Sequence, residues 1–302
     1  MTCGACAQTE DGAAAMTMQP SSVLSVHDHR RDIAGLTYVY PVVSRRAGGV
    51  SVGVNLNTNS ACNWRCVYCQ VPGLVRGAAP KVDLDLLESE LEFLLRQIVR
   101  GDYLERNVAE GARRLNDIAL SGNGEPTSAR EFDQVVERIG QVRRRLGLSD
   151  SIKTILITNG SLLHRPEIKA GLSRLRDLAG EVWFKLDRGS VFERERLNGT
   201  SISNARVMQR LAIAARLCST WIQTCMFALD GVAPSAATVQ EYLELLQLAL
   251  ARELQVKGVL LYGLARVSQQ PEAQRLSPVS GDWLDQLAAR IRLLGLPVLV
   301  TP

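Results

Sequence analysis

The sequence predicts an α/β fold, a partial (β/α)6 TIM-like barrel of parallel strands. Three observations lead there. Short apolar runs alternate along the chain with stretches whose apolar residues recur at helical spacing. The runs are apolar without strict alternation, as expected of strands covered on both faces. The chemically unusual residues fall just after the runs, where parallel α/β folds gather their function. Six strand–helix units are too few to close an eight-stranded barrel. Periodicity alone does not separate an open barrel from a flat doubly wound sheet.

Residues 1–30 are small, polar and without apolar period, which predicts a loose tail. Residues 31–50 read as an extension packing on the barrel, and 51–302 as the core domain. The first strand is Ser51–Asn57. Leu84, Leu87, Leu91, Leu94 and Ile98 then mark a helix that Asp83 is placed to cap. Asp117–Ser121 reads as a strand, Phe132, Val135, Val136 and Ile139 as a helix ended by Gly147, and Ile152–Thr158 as a strand. Ile168, Leu172 and Leu175 mark a helix, Glu181–Asp187 a strand, and Val207, Leu211 and Ala214 a helix. Thr220–Leu229 is a strand, Val239 to Leu250 a helix, Val256–Leu264 a strand and Leu284 to Leu294 a helix. A terminal run, Val298–Val300, follows.

Composition sets limits. The 302 residues are 46% hydrophobic and 22% charged with a net charge of +4, ordinary for a folded protein and not a nucleic-acid signature. No apolar run reaches the roughly 18 residues of a membrane span, and no signal peptide is visible. We therefore expect a cytoplasmic protein without a membrane partner, its seven cysteines reduced. Cys3 and Cys6 form a C-x-x-C in the tail. They are either unpartnered thiols or half of an auxiliary metal site, for which Cys218 and Cys225 are the remaining candidate partners.

The first strand is followed by Cys62, Cys66 and Cys69, a C-x-x-x-C-x-x-C. Thiolate is the usual ligand of iron–sulfur clusters, and three ligands to a four-iron cluster leave one iron open. An open position is what a catalytic centre needs, whereas structural sites are closed. A zinc site needs a fourth ligand, and His164 has no cysteine or second histidine near it in the sequence.

With its Tyr68 before the last cysteine, this loop resembles the cluster loop of the radical S-adenosylmethionine (SAM) superfamily. Ser121-Gly122-Asn123-Gly124-Glu125-Pro126-Thr127 resembles that family's glycine–glycine–glutamate motif, and Thr158-Asn159-Gly160 a turn that recurs in it. The resemblance covers about residues 50 to 265. It implies a [4Fe–4S] cluster on Cys62, Cys66 and Cys69, with the open iron chelating SAM. It implies reductive cleavage of SAM to a 5′-deoxyadenosyl radical that takes hydrogen from a substrate. The cofactor-binding residues it implies are Gly122, Asn123, Gly124, Glu125, Asn159, Lys185 and Asp187; it names no further catalytic residue. Lys185 and Asp187 fall on one face of their strand, so they either pair with each other or contact cofactor ribose or substrate. Gln223, Tyr262 and Arg266 are the inward polar residues of the later strands, and Arg266 suits a carboxylate or phosphate.

Pro41, Ser44, Arg45, Arg46 and Cys66-Val-Tyr-Cys69-Gln70 resemble a narrower subgroup, grouped with wyosine-type transfer-RNA modifying enzymes. This implies a flavodoxin or ferredoxin reductant and makes transfer RNA a candidate substrate. Glycyl-radical activating and peptide-modifying enzymes are the alternatives within the superfamily. An alternative of another class is a non-enzymatic iron–sulfur or zinc module that binds RNA. That module predicts clustered basic residues with exposed aromatics, whereas aromatics are 5% of this chain.

Overall fold

A computed structural model describes residue 24 and residues 34–44 and 48–302. Cys3, Cys6, Arg45, Arg46 and most of the expected tail lie outside the described residues.

The chain begins with a hairpin, β1 (Val39–Ser44) and β2 (Gly49–Val54), paired antiparallel. The cysteine loop follows and carries a small two-stranded pairing, β3 (Ala61–Cys62) with β4 (Val75–Arg76). Then come α1 (Leu84–Arg100), α2 (Tyr103–Asn107), β5 (Leu115–Leu120), α3 (Phe132–Leu146), β6 (Lys153–Thr158), α4 (Pro166–Arg176) and β7 (Gly180–Lys185). Two helices, α5 (Val191–Asn198) and α6 (Asn204–Leu217), precede β8 (Ser219–Leu229). The chain finishes with α7 (Ala236–Ala251), β9 (Val256–Gly263), β10 (Leu276–Pro278), α8 (Gly281–Arg292) and β11 (Val298–Thr301).

The main sheet runs β1-β2-β5-β6-β7-β8-β9-β11, with β10 antiparallel beside β8. From β2 to β11 every adjacent pair on this path is parallel. The order never reverses. A doubly wound sheet has a switch point where it does; without one, right-handed crossovers lay every helix on the same side. That settles the alternative in favour of the open barrel.

The apolar stripes pack as their spacing predicts. Leu87, Leu91 and Leu94 of α1, Val135, Val136 and Ile139 of α3, and Leu284, Leu287 and Ile291 of α8 are buried in one core against the strands. The caps also form: Asp83 accepts from the Leu86 amide at 3.0 Å, and Gly147 ends α3 in the left-handed region at φ 64°. Two features depart from expectation. Within the 31–50 extension, Val39–Ser44 is the edge strand of the sheet itself. The helix α5 went unpredicted because its hydrophobic face is short; Leu197 is its buried apolar residue. No helix among the described residues is long and apolar enough to cross a membrane.

Candidate active site

The expected first strand stops at Val54, and the polar residues after it build the start of the site. Asn55 is buried, and its Oδ1 accepts from the amides of Asn57 at 3.1 Å and Asn123 at 3.0 Å. Asn57 donates to the Ala61 carbonyl at 2.8 Å and to Ser128 Oγ at 3.1 Å. These contacts clamp the root of the cysteine loop to the turn after β5. The two glycines of that turn explain themselves sterically. A Cβ on Gly122 would lie 2.4 Å from Asn55 Oδ1, and one on Gly124 2.1 Å from the Ala61 carbonyl oxygen. Neither leaves room for a side chain.

Glu125 is 3% exposed and receives four protein donors. Its Oε1 accepts from the Thr127 amide at 3.1 Å, Thr127 Oγ1 at 2.6 Å and Thr158 Oγ1 at 2.6 Å; its Oε2 accepts from the Asn159 amide at 2.7 Å. Burial raises its pKa, and the hydrogen bonds pull the other way. The carboxylate thus ties the end of β5 to the end of β6. Asn159 in turn donates to Asn63 Oδ1 at 2.8 Å, and Asn63 donates to Ser161 Oγ at 2.8 Å, fastening the cysteine loop to β6.

The far side of the loop is held by later elements. The amides of Arg65 and Val67 donate to the carbonyls of Asn198 at 3.0 Å and Leu197 at 2.8 Å, satisfying helix-end carbonyls of α5. Ser268 Oγ donates to the Val67 carbonyl at 2.7 Å, and the Gln269 amide to the Cys69 carbonyl at 2.9 Å. Beneath the loop, Val67, Tyr68, Leu197, Cys225 and Phe227 form a separate apolar cluster.

Asp187 lies past the end of β7, and its carboxylate is turned into the protein. It is 2% exposed and is not among the residues lining the cavity. Tyr68 Oη donates to its Oδ2, as does Asn198 Nδ2 at 2.9 Å, and the Cys225 amide donates to Oδ1 at 2.9 Å. These hydrogen bonds thus go to the cysteine loop, α5 and β8. Lys185 lines the cavity, its ammonium 5.0 Å from the centre of the Tyr68 ring. Burial disfavours that ammonium, but Tyr262, Asp187, Cys66 and Cys225 around it outweigh the penalty and its pKa is raised.

The cavity they enclose, about 310 Å³, opens at the C-terminal ends of the parallel strands. Cys62, Cys66 and Cys69 line it together with Gly122, Gly124, Glu125, Asn159 and Lys185. Asn123 does not; its backbone bond to Asn55 serves the turn. Gln223, Tyr262 and Arg266 line the cavity as expected, and Cys225 joins them. Gln223 is 2% exposed, and its Oε1 has no hydrogen-bond partner among the described residues. Cys218 is buried at the end of α6, away from this cavity.

Burial pushes the thiol of Cys62 up to about 11 and that of Cys66 to about 12. Both sulfurs accept hydrogen bonds, Cys62 Sγ from the Trp64 amide at 3.5 Å and Cys66 Sγ from Asn198 Nδ2 at 3.3 Å. No three His, Cys, Asp or Glu side chains among the described residues are placed to hold a single metal ion. Asn55 enters the subgroup resemblance only within the run Gly53-Val54-Asn55, and no role is assigned to Asn57 or Asn198 from sequence. Isolated asparagines in loops and at a helix end announce no role of their own; the cue available was Asn55 and Asn57 directly after an apolar strand.

No family model matches the chain. It is 24% identical over 291 residues to the UPF0026 protein slr1464 of Synechocystis sp., covering 87% of this chain and 96% of that protein. A shorter stretch of 132 residues is 26% identical to the GTPase Obg of Brachyspira hyodysenteriae, covering 44% of this chain and 17% of that protein. Among solved structures, the fold matches that of a radical SAM methyltransferase from Sphaerobacter thermophilus, with a TM-score of 0.53 at 16% identity. The match covers 84% of this chain and 66% of that one, so the chain spans less than two thirds of the methyltransferase structure. The resemblance read from the cysteine loop is met at the level of fold.

Proposed function

We propose that the chain is a radical SAM enzyme, its core formed by residues 51–302. One observation carries this reading: the three thiols and the Gly122–Glu125 turn, 53 or more residues apart in sequence by their numbering, line one cavity at the functional end of a parallel open barrel.

The residues suit a [4Fe–4S] cluster. Three thiols ring the cavity without converging on a point, which a cluster, whose ligands bind separate irons, does not require. Cys62, Cys66 and Cys69 would hold it, and when bound with SAM it supplies a one-electron reductive cleavage. The chain's own contribution is binding, orientation and water exclusion. Gly122 and Gly124 bring backbone to the cavity wall, where the amino group of SAM would lie. Glu125, saturated by protein donors, holds that turn in place. Asn159 and Lys185 line the cavity beside it, Lys185 suited to an anionic group. Gln223, Tyr262 and Arg266 form the substrate side.

Transfer RNA is the substrate class favoured by the subgroup resemblance, and flavodoxin or ferredoxin the expected reductant. Anaerobically reconstituted protein should take up about four irons and release 5′-deoxyadenosine when reduced with SAM. Retention of cleavage by the Cys66→Ala protein would overturn the assignment. Comparing modified nucleosides in transfer RNA from deletion and parent strains tests the substrate.

A further inference from the structure

Asn198 has two side-chain N–H groups, and the structure uses both. One donates to Asp187 Oδ2 at 2.9 Å and the other to Cys66 Sγ at 3.3 Å. The amide is 1% exposed, and its Oδ1 has no partner among the described residues. A buried carbonyl without a donor is costly, so something else dictates which way this amide faces. The Asp187 carboxylate takes its other hydrogen bonds as an acceptor, from Tyr68 Oη and the Cys225 amide. It therefore selects the nitrogen side of Asn198, which brings the second N–H onto the sulfur.

The carboxylate is itself immobile. Tyr68 Oη and the Cys225 amide hold it from two other directions. Asn198 is fixed from the backbone as well, because its carbonyl receives the Arg65 amide and it closes α5 against Gly199 at φ 63°. The buried guanidinium of Arg194 braces the same helix, donating to the carbonyls of Arg188 at 3.0 Å, Gly189 at 2.9 Å and Ile202 at 2.9 Å. A single N–H is thus held on one sulfur by a chain of groups anchored at Asp187, Asn198 and Arg194, none of which lines the cavity.

Resting on the cluster reading above, we propose that Asn198 is a positioning residue that sets the reduction potential of the cluster held by Cys66, with Asp187 orienting it. Adding an electron makes the cluster and its thiolates more negative, and a hydrogen-bond donor on a ligand sulfur stabilises that state. The donor therefore moves the midpoint potential to a less negative value.

The test is a redox titration, followed by electron paramagnetic resonance, of reconstituted protein without SAM. Unsubstituted, Asn198→Leu and Asn198→Ala proteins are compared at matched iron content. Both variants remove the donor and leave the Asp187 carboxylate, which acts on Cys66, in place, so both should shift the midpoint to a more negative potential by a similar amount. A role confined to holding α5 on the loop would alter stability or iron uptake without moving the potential of loaded molecules. If Asn198→Leu fails to fold, Asn198→Ala, which removes the same donor without changing charge, decides by the same criterion. Iron-loaded variants at the unsubstituted potential overturn this inference alone. Absence of iron from the unsubstituted protein overturns the cluster reading and this inference with it.

Discussion

Glu125 and Asp187 are both buried carboxylates at the site, but they face different company. Glu125 is bound by hydroxyls and amides of its own turn and of the next strand, Thr127, Thr158 and Asn159. Asp187 is bound by groups from three other parts of the fold: Tyr68 in the cysteine loop, Asn198 at the end of α5 and the Cys225 amide on β8. The first fixes one turn against its neighbour. The second fixes the cysteine loop to the later half of the barrel. Among the cavity's neighbours in the early half, Asn55, Asn57 and Glu125 are taken up by protein partners, whereas on β8 Gln223 lines the cavity and its Oε1 has no partner among the described residues. The early half is a holder; the later half leaves chemistry for a ligand to complete.

That division can be broken by experiment. Asp187→Ala should have the largest effect, because it strips three buried donors of their acceptor. We expect a loss of about 4 kcal/mol in urea unfolding, together with poor iron retention. Glu125→Ala should cost about 3 kcal/mol, less although it strips four donors, because the Thr127 and Thr158 hydroxyls can turn to other acceptors; its iron content should stay close to that of the parent while SAM binding falls. If both variants lose iron equally, the two carboxylates do not divide the work. Gly124→Ala forces a methyl onto the Ala61 carbonyl and should cost about 2 kcal/mol, with weaker SAM binding by equilibrium dialysis. Gln223→Leu is the smallest: removing an unpartnered buried carbonyl should leave ligand-free stability within about 1 kcal/mol of the parent. A large loss there would show that Gln223 already has a structural partner.

The sequence displayed the fold through its apolar spacing, so the core faces of α1, α3 and α8 were legible residue by residue. The cavity was legible through its cysteines and glycines, which few other roles explain at that spacing. Asp187 was not. Alternation along Glu181–Asp187 placed it beside Lys185, but β7 ends at Lys185 and the rule ends with the strand. Asn198 was hidden for a related reason. It sits on a helix of eight residues, whose place comes from buried arginine–carbonyl bonds and not from an apolar stripe. Arg194, pushed down to about 10 by burial, makes those bonds with no carboxylate within 4 Å among the described residues. Composition reads such an arginine as surface.

The strap from Ser268 to Gln270 carries a consequence for biosynthesis. Ser268 reaches back to the Val67 carbonyl across 201 positions, and Gln270 to the Val71 carbonyl across 199. The thiol loop therefore leaves the ribosome 199 or more residues ahead of the strap that completes its bracing. On the proposed cluster reading, delivery that ran ahead of the strap's synthesis would meet an unfinished cradle, so the order of manufacture favours loading after the strap has emerged.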